Sequence, residues 1–217
     1  MAQRPSTRDR ILQSAMDLFW EKGFANTGMA ELLRRARVNS GSFYYFFKSK
    51  EDLLLAVLDR YAEILHPVLL APVWKKTAEP VERIFGLLAR YRELIVRSNC
   101  TYGCPIGRLA LEIDPAQREV HRRIAMNFEG WADAVQKCLE ETAGRLPPDI
   151  NRKKLSRFVL TVMEGGVMLS RSQRSVKPFD MAVEQLRDYF NRLRSSRRAV
   201  TRRRRTSNRK RVNRRHS

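Results

Sequence analysis

The spacing of apolar residues over the first 66 positions predicts four helices. Apolar side chains recur every three or four residues, beginning with the stripe Ile11, Ala15, Leu18 and Phe19, which is the spacing of one helical face. The next helices are expected over residues 27–36, 40–47 and 49–66. Pro67 and Pro72 are expected to end the fourth, because proline lacks a backbone N–H and clashes with the preceding turn.

The rest of the chain follows the same period, and no stretch alternates as a strand would. Further helices are predicted over residues 79–98, 105–112, 116–143, 151–174 and 179–194. The pattern therefore predicts an all-α fold, with a small N-terminal domain of three helices (1–48), a connecting helix (49–66), a larger helical body (67–194) and a tail (195–217).

Two short helices separated by a tight turn between residues 27 and 47 are typical of a helix-turn-helix. The second helix of such a unit enters the major groove of DNA. It contains five consecutive aromatic residues, 43–47. At about 100° per residue, Phe43 and Phe47 share an inward face, while Tyr44 and Tyr45 point elsewhere and could reach phosphate, sugar or base edges.

The side chains around this unit have the chemistry of a DNA contact surface. Thr27 could cap the first helix, Asn39 or Ser40 could cap the second, and the lysines could neutralise phosphates. Phe46 could contact a thymine methyl or seal the edge of the core. The candidate DNA-binding residues are Thr27, Asn39, Ser40, Gly41, Ser42, Tyr44, Tyr45, Phe46, Lys48 and Lys50. The alternative interpretation is a helical corner with aromatic core residues, since this geometry has many look-alikes.

The stretch "SAMDLFWEKGFANTGMAELLRRARVNSGSFYYFFKSKEDLLLAVL" resembles the DNA-binding domain of the TetR/AcrR family of bacterial transcriptional regulators. The resemblance covers about residues 7–58 and implies a homodimer that reads an inverted-repeat operator, most often as a repressor. It also implies a small-molecule effector bound by the C-terminal body. By this resemblance Thr27, Tyr44 and Lys50 touch phosphate, while residues Ser40, Ser42, Tyr45 and Phe46 lie near the bases.

Three positions depart from the family pattern. Arg37 stands where the family usually has glycine in the turn, so a left-handed backbone there would cost free energy. Leu33 replaces a small residue, and Phe46 stands where histidine is frequent. These departures concern the docking geometry and the bases that are read.

The formal charge of +20 is concentrated at the C-terminus, where residues 195–217 hold eleven Lys and Arg and no acidic residue. A segment this basic and this poor in apolar residues is expected to be disordered when free and to bind polyanions. Two alternatives follow: a protein that binds nucleic acid nonspecifically through the tail, or a tail that only solubilises the chain.

Three cysteines fit poorly with a disulfide framework. Pro105 predicts a helix start that places Cys104 at the N-cap, where the helix dipole and Arg108 would favour a thiolate. The stretch around Cys104 also resembles that of a TetR subgroup with Gly-Cys-x-x-Gly before a helix, some members of which sense electrophiles or oxidants through a cysteine. By this resemblance, a regulator that senses oxidants or electrophiles through Cys104, with Cys100 or Cys138 as partner, is an alternative to an inert buried cysteine.

Several other classes of protein have no support in the pattern. Neither metal-ligand spacing nor a catalytic arrangement is present, so no metal, no cofactor and no enzymatic activity are expected. The N-terminus lacks a signal-peptide pattern, and no run approaches the ~20 apolar residues of a membrane span. The expected location is the cytoplasm.

Two further sets of residues complete the expectations for the C-terminal body. The effector pocket is expected to involve Trp74, Phe85, Leu88, Tyr91, Tyr102, Cys104, Phe128 and Trp131, because pockets are lined mainly by apolar and aromatic side chains. The last two helices are expected to form a four-helix bundle with a second subunit. Its predicted interface residues are Phe158, Val162, Gly165, Gly166, Phe179, Val183, Leu186 and Phe190.

Overall fold

A computed structural model of the chain describes residues 5–142 and 144–213, with side chains described up to residue 195. This part is helical and contains no strand. Its helices are α1 (Thr7–Lys22), α2 (Met29–Ala36), α3 (Ser40–Phe46), α4 (Lys50–Ile64), α5 (Ala71–Trp74), α6 (Pro80–Arg97), α7 (Pro105–Glu112), α8 (Arg118–Glu140), α9 (Arg152–Gln173) and α10 (Lys177–Asn213). The all-α prediction is confirmed.

Local capping explains where the first helices begin. The side chains of Ser6, Asn39 and Ser49 each accept a hydrogen bond from a backbone N–H three residues later. Each bond satisfies one of the N–H groups that a helix start leaves without a partner. The three starts therefore lie within a residue or two of their predicted positions.

The fourth helix does not end at Pro67 as predicted. A π-helical turn, Leu65–Leu70, follows α4 directly and leads into α5, so both prolines lie inside helical backbone. The wider turn accommodates them because a π-turn shifts the hydrogen-bond pattern that proline would otherwise interrupt. The connection between the two halves of the chain is therefore continuous.

The last helix also extends further than predicted, since α10 continues to Asn213 rather than ending near residue 194. Most of the tail expected to be disordered thus has helical backbone, which is compatible with its composition because arginine and lysine are good helix formers and the segment has no glycine or proline. Residues 214–217 lie outside the described part of the chain.

Two hydrophobic cores hold the described residues together. The first joins α6, α8, α9 and α10, with Phe85, Trp131, Phe179 and Phe190 among its buried members. The second joins α1–α4 but also takes in Ile106 and Leu109 from α7, Ile113 directly after it, and Val120 and Ile124 from α8. The N-terminal helices therefore share a core with the C-terminal body. No helix in the described part is both long enough and apolar enough to cross a membrane.

Candidate DNA-binding surface and ligand cavity

The turn between α2 and α3 contains a residue in the left-handed conformation. Arg37 has φ 55° and ψ 52° and forms the C-cap of α2. The N–H of Val38 donates to the carbonyl of Leu33 at 3.1 Å, which closes the helix end. The non-glycine residue therefore adopts the backbone that glycine would adopt at lower cost.

Helix α3 separates its aromatic residues between two faces. Phe43 and Phe47 are buried, as the spacing predicted, and pack in the N-terminal core. Tyr44 is 58% exposed and Tyr45 is 83% exposed. Buried phenyl rings thus fix the helix and leave both phenol groups on its outer side.

Most of the other α3 candidates share that outer side. Ser40, Gly41 and Lys48 are exposed, and Asn39 caps the helix by accepting from the Ser42 N–H at 2.8 Å. Phe46 is half-buried and packs edge-on against the Tyr45 ring, with 4.8 Å between centroids. The sequence candidates therefore form one surface around α3, with Phe46 at its boundary with the core.

Thr27 and Lys50 both bond to the α1–α2 turn, and the expectation that Thr27 caps α2 is wrong. Thr27 is buried and its hydroxyl donates to the Gly23 carbonyl at 2.7 Å, so it does not cap α2, whose N-cap is Gly28. The Lys50 Nζ donates to the Phe24 carbonyl at 2.5 Å and lies 4.4 Å from the centre of the Phe24 ring. Burial lowers the pKa of Lys50, while the nearby Glu112 carboxylate opposes that shift. Both side chains hold the α1–α2 turn.

A carboxylate from α7 also holds this turn. Glu112 accepts from the Phe24 backbone N–H at 2.8 Å and from Arg108 Nε at 2.6 Å. Arg108 in turn donates to the carbonyls of Trp20 and Glu21 at the end of α1. The C-terminal end of α7 is therefore fastened to the DNA-binding helices.

The N-terminal end of α7 borders a cavity of about 300 Å³. Apolar and aromatic side chains make up most of its wall, and Glu164 is the only Asp, Glu, Lys, Arg or His side chain there among the described residues. The lining residues are Trp20, Tyr61, Ile64, Leu65, Val68, Leu69, Tyr91, Leu94, Cys104, Pro105, Ile106, Asn127, Phe128, Trp131, Leu160, Met163 and Glu164. Its size and lining match those of small-ligand sites.

Cys104 stands at the N-cap of α7 as predicted, with its sulfur accepting from the Gly107 N–H at 3.4 Å. Burial nevertheless raises the pKa of this thiol well above its usual value, and the Glu164 carboxylate raises it further. Arg108, expected to favour a thiolate, is turned toward Glu112 instead. All three cysteines are free, and no metal-binding cluster occurs among the residues that the structure describes. The geometry favours a neutral thiol.

Comparison with known proteins decides the family. The profile described as bacterial regulatory proteins, tetR family, matches residues 11–57. The profile described as transcriptional regulator LmrA/YxaF-like, C-terminal domain, matches residues 80–185. The chain belongs to the TetR family. It is accordingly a DNA-binding transcriptional regulator of the helix-turn-helix type.

Relatives of this TetR-family chain match over most of their length. The HTH-type transcriptional repressor DhaR of Mycobacterium sp. (strain GP1) is 26% identical over 182 residues, which cover 83% of this chain and 89% of DhaR. A TetR transcriptional regulator from Chloroflexus aurantiacus J-10-FL is 26% identical with a TM-score of 0.74, covering 85% of this chain and 94% of that one. Regulatory protein TetR from Rhodobacter sphaeroides is 22% identical and has the same fold, with a TM-score of 0.76. The match covers 86% of this chain and 97% of that one.

Half of the predicted pocket residues of this TetR-family protein line the cavity, namely Tyr91, Cys104, Phe128 and Trp131. Phe85 and Leu88 belong to the core, and Trp74 packs against it. Tyr102 stacks beside Trp20 outside the cavity, with 4.9 Å between ring centres. Sequence reasoning missed Trp20, Tyr61 and Glu164, which come from α1, α4 and α9. Glu164 carried a signal, because it is an acidic residue inside an otherwise apolar helical stretch.

The predicted dimer residues also fall into two groups. Phe179, Leu186 and Phe190 are buried in the chain's own core, and Gly166 packs against Phe179. Val183 is partly buried against the same core. The four buried residues, Phe179, Leu186, Phe190 and Gly166, do not face outward, because α9 and α10 bury one face against each other and against α6. Of the predicted set, Phe158 is 46% exposed and Gly165 has open space around it, while Val162 is partly buried.

Proposed function

We propose that the protein is a homodimeric repressor that binds an inverted-repeat operator through α3 and is released when a small molecule enters the cavity. The observation that carries this proposal is the position of α7. One end of this helix borders the cavity and the other end, through Glu112, holds the turn before α2. A ligand that displaces α7 would therefore move the DNA-binding helices.

The DNA contacts are assigned to the outer side of α3. Tyr44 and Tyr45 offer exposed phenols, Ser40 offers a hydroxyl, and Lys48 offers a charge for phosphate. Arg37 is exposed in the adjoining turn and adds a second positive charge. It was not among the DNA-binding residues predicted from the sequence. Thr27 and Lys50 contribute by fixing the turn and not by direct side-chain contact.

The second subunit is assigned to an outward apolar stripe on α9 and α10. Phe158, Val162, Gly165 and Leu169 recur at helical spacing on α9, and Met181 and Tyr189 lie on α10, with the Phe158 and Tyr189 rings 5.8 Å apart. Met181 is 66% exposed, and an apolar patch of this kind marks an interaction surface. Two helices from each subunit would form a four-helix bundle about a two-fold axis.

The expected location is the cytoplasm.

The test is selection of DNA sites from a random pool, with sedimentation equilibrium on the same protein. Both the full chain and a chain ending at residue 194 are expected to enrich an inverted repeat and to sediment as dimers. Phe158→Asp is expected to give a monomer with weaker operator binding, whereas Val96→Asp, at an exposed apolar position on α6, is not. Enrichment of no repeated site would overturn the proposal and leave a nonspecific nucleic-acid binder.

A further inference from the structure

The cavity wall contains a carboxylate that forms no ion pair with any of the described residues. Glu164, on α9, lies between the cavity and a more open groove of about 760 Å³, and it lines both. Its Oε1 atom is buried and has no hydrogen-bond partner among the described residues. Burial raises the pKa of this carboxyl, although the Cys104 thiol lies close enough to hydrogen-bond with it and lowers the pKa.

The neighbouring basic residues do not act as counter-ions. Arg108 and Arg171 line the outer groove but not the cavity. Arg108 pairs with Glu112 at 2.6 Å, and no ion pair to Glu164 occurs in the described part of the chain. The Cys104 thiol is a weak hydrogen-bond partner, so the charged form of this carboxyl pays a desolvation cost that no ion pair offsets.

The surroundings suit one kind of partner. Five aromatic rings from four helices line the cavity, namely Trp20, Tyr61, Tyr91, Phe128 and Trp131. The faces of such rings attract cations, most strongly where water is excluded. A carboxylate set among aromatic rings complements a positive charge on an apolar body, whereas a neutral apolar ligand would leave the carboxylate unpaired.

We propose that the cavity binds a small hydrophobic cation, an ammonium group on an aromatic or aliphatic body, with Glu164 as its counter-ion. This inference rests on the proposed function, because it names the chemical class of the effector. The space of about 300 Å³ limits the ligand to roughly one or two rings. Gly107 makes room for the carboxylate, since a Cβ atom there would lie 2.6 Å from Glu164 Oε2.

The test compares two probes of the same shape that differ in charge. Benzyltrimethylammonium carries the cation, and neopentylbenzene replaces its nitrogen with carbon. Binding of each is followed by the fluorescence of Trp20 and Trp131 in the full-length protein. The wild type is expected to bind the cation about tenfold more tightly than the neutral probe. Glu164→Gln should bind both with similar Kd, and Glu164→Asp should keep the preference at reduced affinity.

Glu93→Gln is the matched control, because this substitution makes the same change of charge outside the cavity. Glu93 lies on α6, and its side chain is 60% exposed. It is expected to keep the wild-type preference. Equal Kd values for the two probes in the wild type, an unchanged preference in Glu164→Gln, or saturable binding of neither probe would each overturn the inference.

Operator binding, measured on the same samples, separates this inference from the proposed function. A protein that binds the inverted repeat and is released by the neutral probe, but not by the cation, keeps the proposed function and loses the inference. If the protein selects no repeat, the proposed function is wrong. The Kd values of the two probes still show whether the cavity prefers a cation.

Discussion

The Glu112 carboxylate accepts a hydrogen bond from the Phe24 backbone N–H at 2.8 Å, across 88 residues of sequence. The same carboxylate accepts a second hydrogen bond from Arg108 Nε at 2.6 Å. One side chain therefore satisfies two donors at the junction of α7 with the α1–α2 turn. This contact joins the body that bears the cavity to the turn that precedes the helix-turn-helix.

Glu112→Ala is expected to lower the free energy of unfolding by about 1–3 kcal/mol, because both donors lose their partner in a partly buried place. Urea denaturation followed by circular dichroism measures the change. Glu140→Ala is the control, since this carboxylate is exposed at the end of α8, and it should change the free energy by less than about 0.5 kcal/mol. Equal effects of the two substitutions would contradict the structural role of Glu112.

Gly23→Ala should act on the same junction. Gly23 has φ 90°, and a Cβ atom there would lie 2.2 Å from Glu112 Oε1, so both backbone strain and collision are introduced. The expected loss exceeds about 1 kcal/mol. The double variant Gly23→Ala/Glu112→Ala should lose less than the sum of the single losses, because the collision is then absent.

Gly28→Ala provides the comparison for that experiment. Its Cβ position is open and its φ is −78°, so alanine should lose only the N-cap preference of glycine, about 0.5–1 kcal/mol, without any collision. If Gly28→Ala destabilised the protein as much as Gly23→Ala, the collision with Glu112 would not be the cause.

Arg37→Gly is expected to stabilise the chain. Arginine in the left-handed region costs roughly 1–2 kcal/mol, and glycine removes this cost. Glycine also makes the unfolded chain more flexible, which lowers the stability by about 0.4–1 kcal/mol. A net gain of about 0.5–1 kcal/mol should appear as a higher Tm. Arg34→Gly, within α2, should instead lose about 1 kcal/mol. A lower Tm for Arg37→Gly would show that the arginine side chain compensates for its backbone.

Removal of residues 195–217 should reduce the salt dependence of DNA binding. Each phosphate contact contributes a slope of about −0.9 in log K against log salt, so five lost contacts would make the slope about 4.5 units shallower. Fluorescence anisotropy on the selected repeat and on a scrambled duplex gives both slopes. The ratio of the two affinities should not change, because phosphate contacts carry no sequence information. An unchanged slope would mean that the tail does not contact DNA.

Cys104 should react slowly with iodoacetamide at neutral pH. Burial and the Glu164 carboxylate raise its pKa, so little thiolate forms, and the rate should rise steeply only above the pKa of an ordinary cysteine. Mass spectrometry of the alkylated chain, native and in urea, gives the two rates. Cys104→Ser should retain the effector response. Rapid modification of Cys104 in the native protein, with loss of operator binding, would instead support the thiol-sensing alternative.

The sequence by itself determined where α1, α3 and α4 begin and which face of α3 is buried. Caps at Ser6, Asn39 and Ser49 and the period of the apolar residues act within one or two turns, so they can be identified without knowledge of the rest of the chain. The same period separated buried Phe43 from exposed Tyr44 and Tyr45.

Only the tertiary structure decided which partners distant side chains take. Lys50 and Thr27 look like phosphate ligands in sequence, yet a carbonyl of the folded α1–α2 region binds each of them. Phe179 and Phe190 have the pattern of an interface, but the packing of α6, α9 and α10 buries them within one chain. The unpaired carboxylate of Glu164 likewise depends on the cavity that helices far apart in sequence enclose. The spacing of apolar residues shows that one face of a helix is apolar. Which element covers that face depends on the packing of the whole chain.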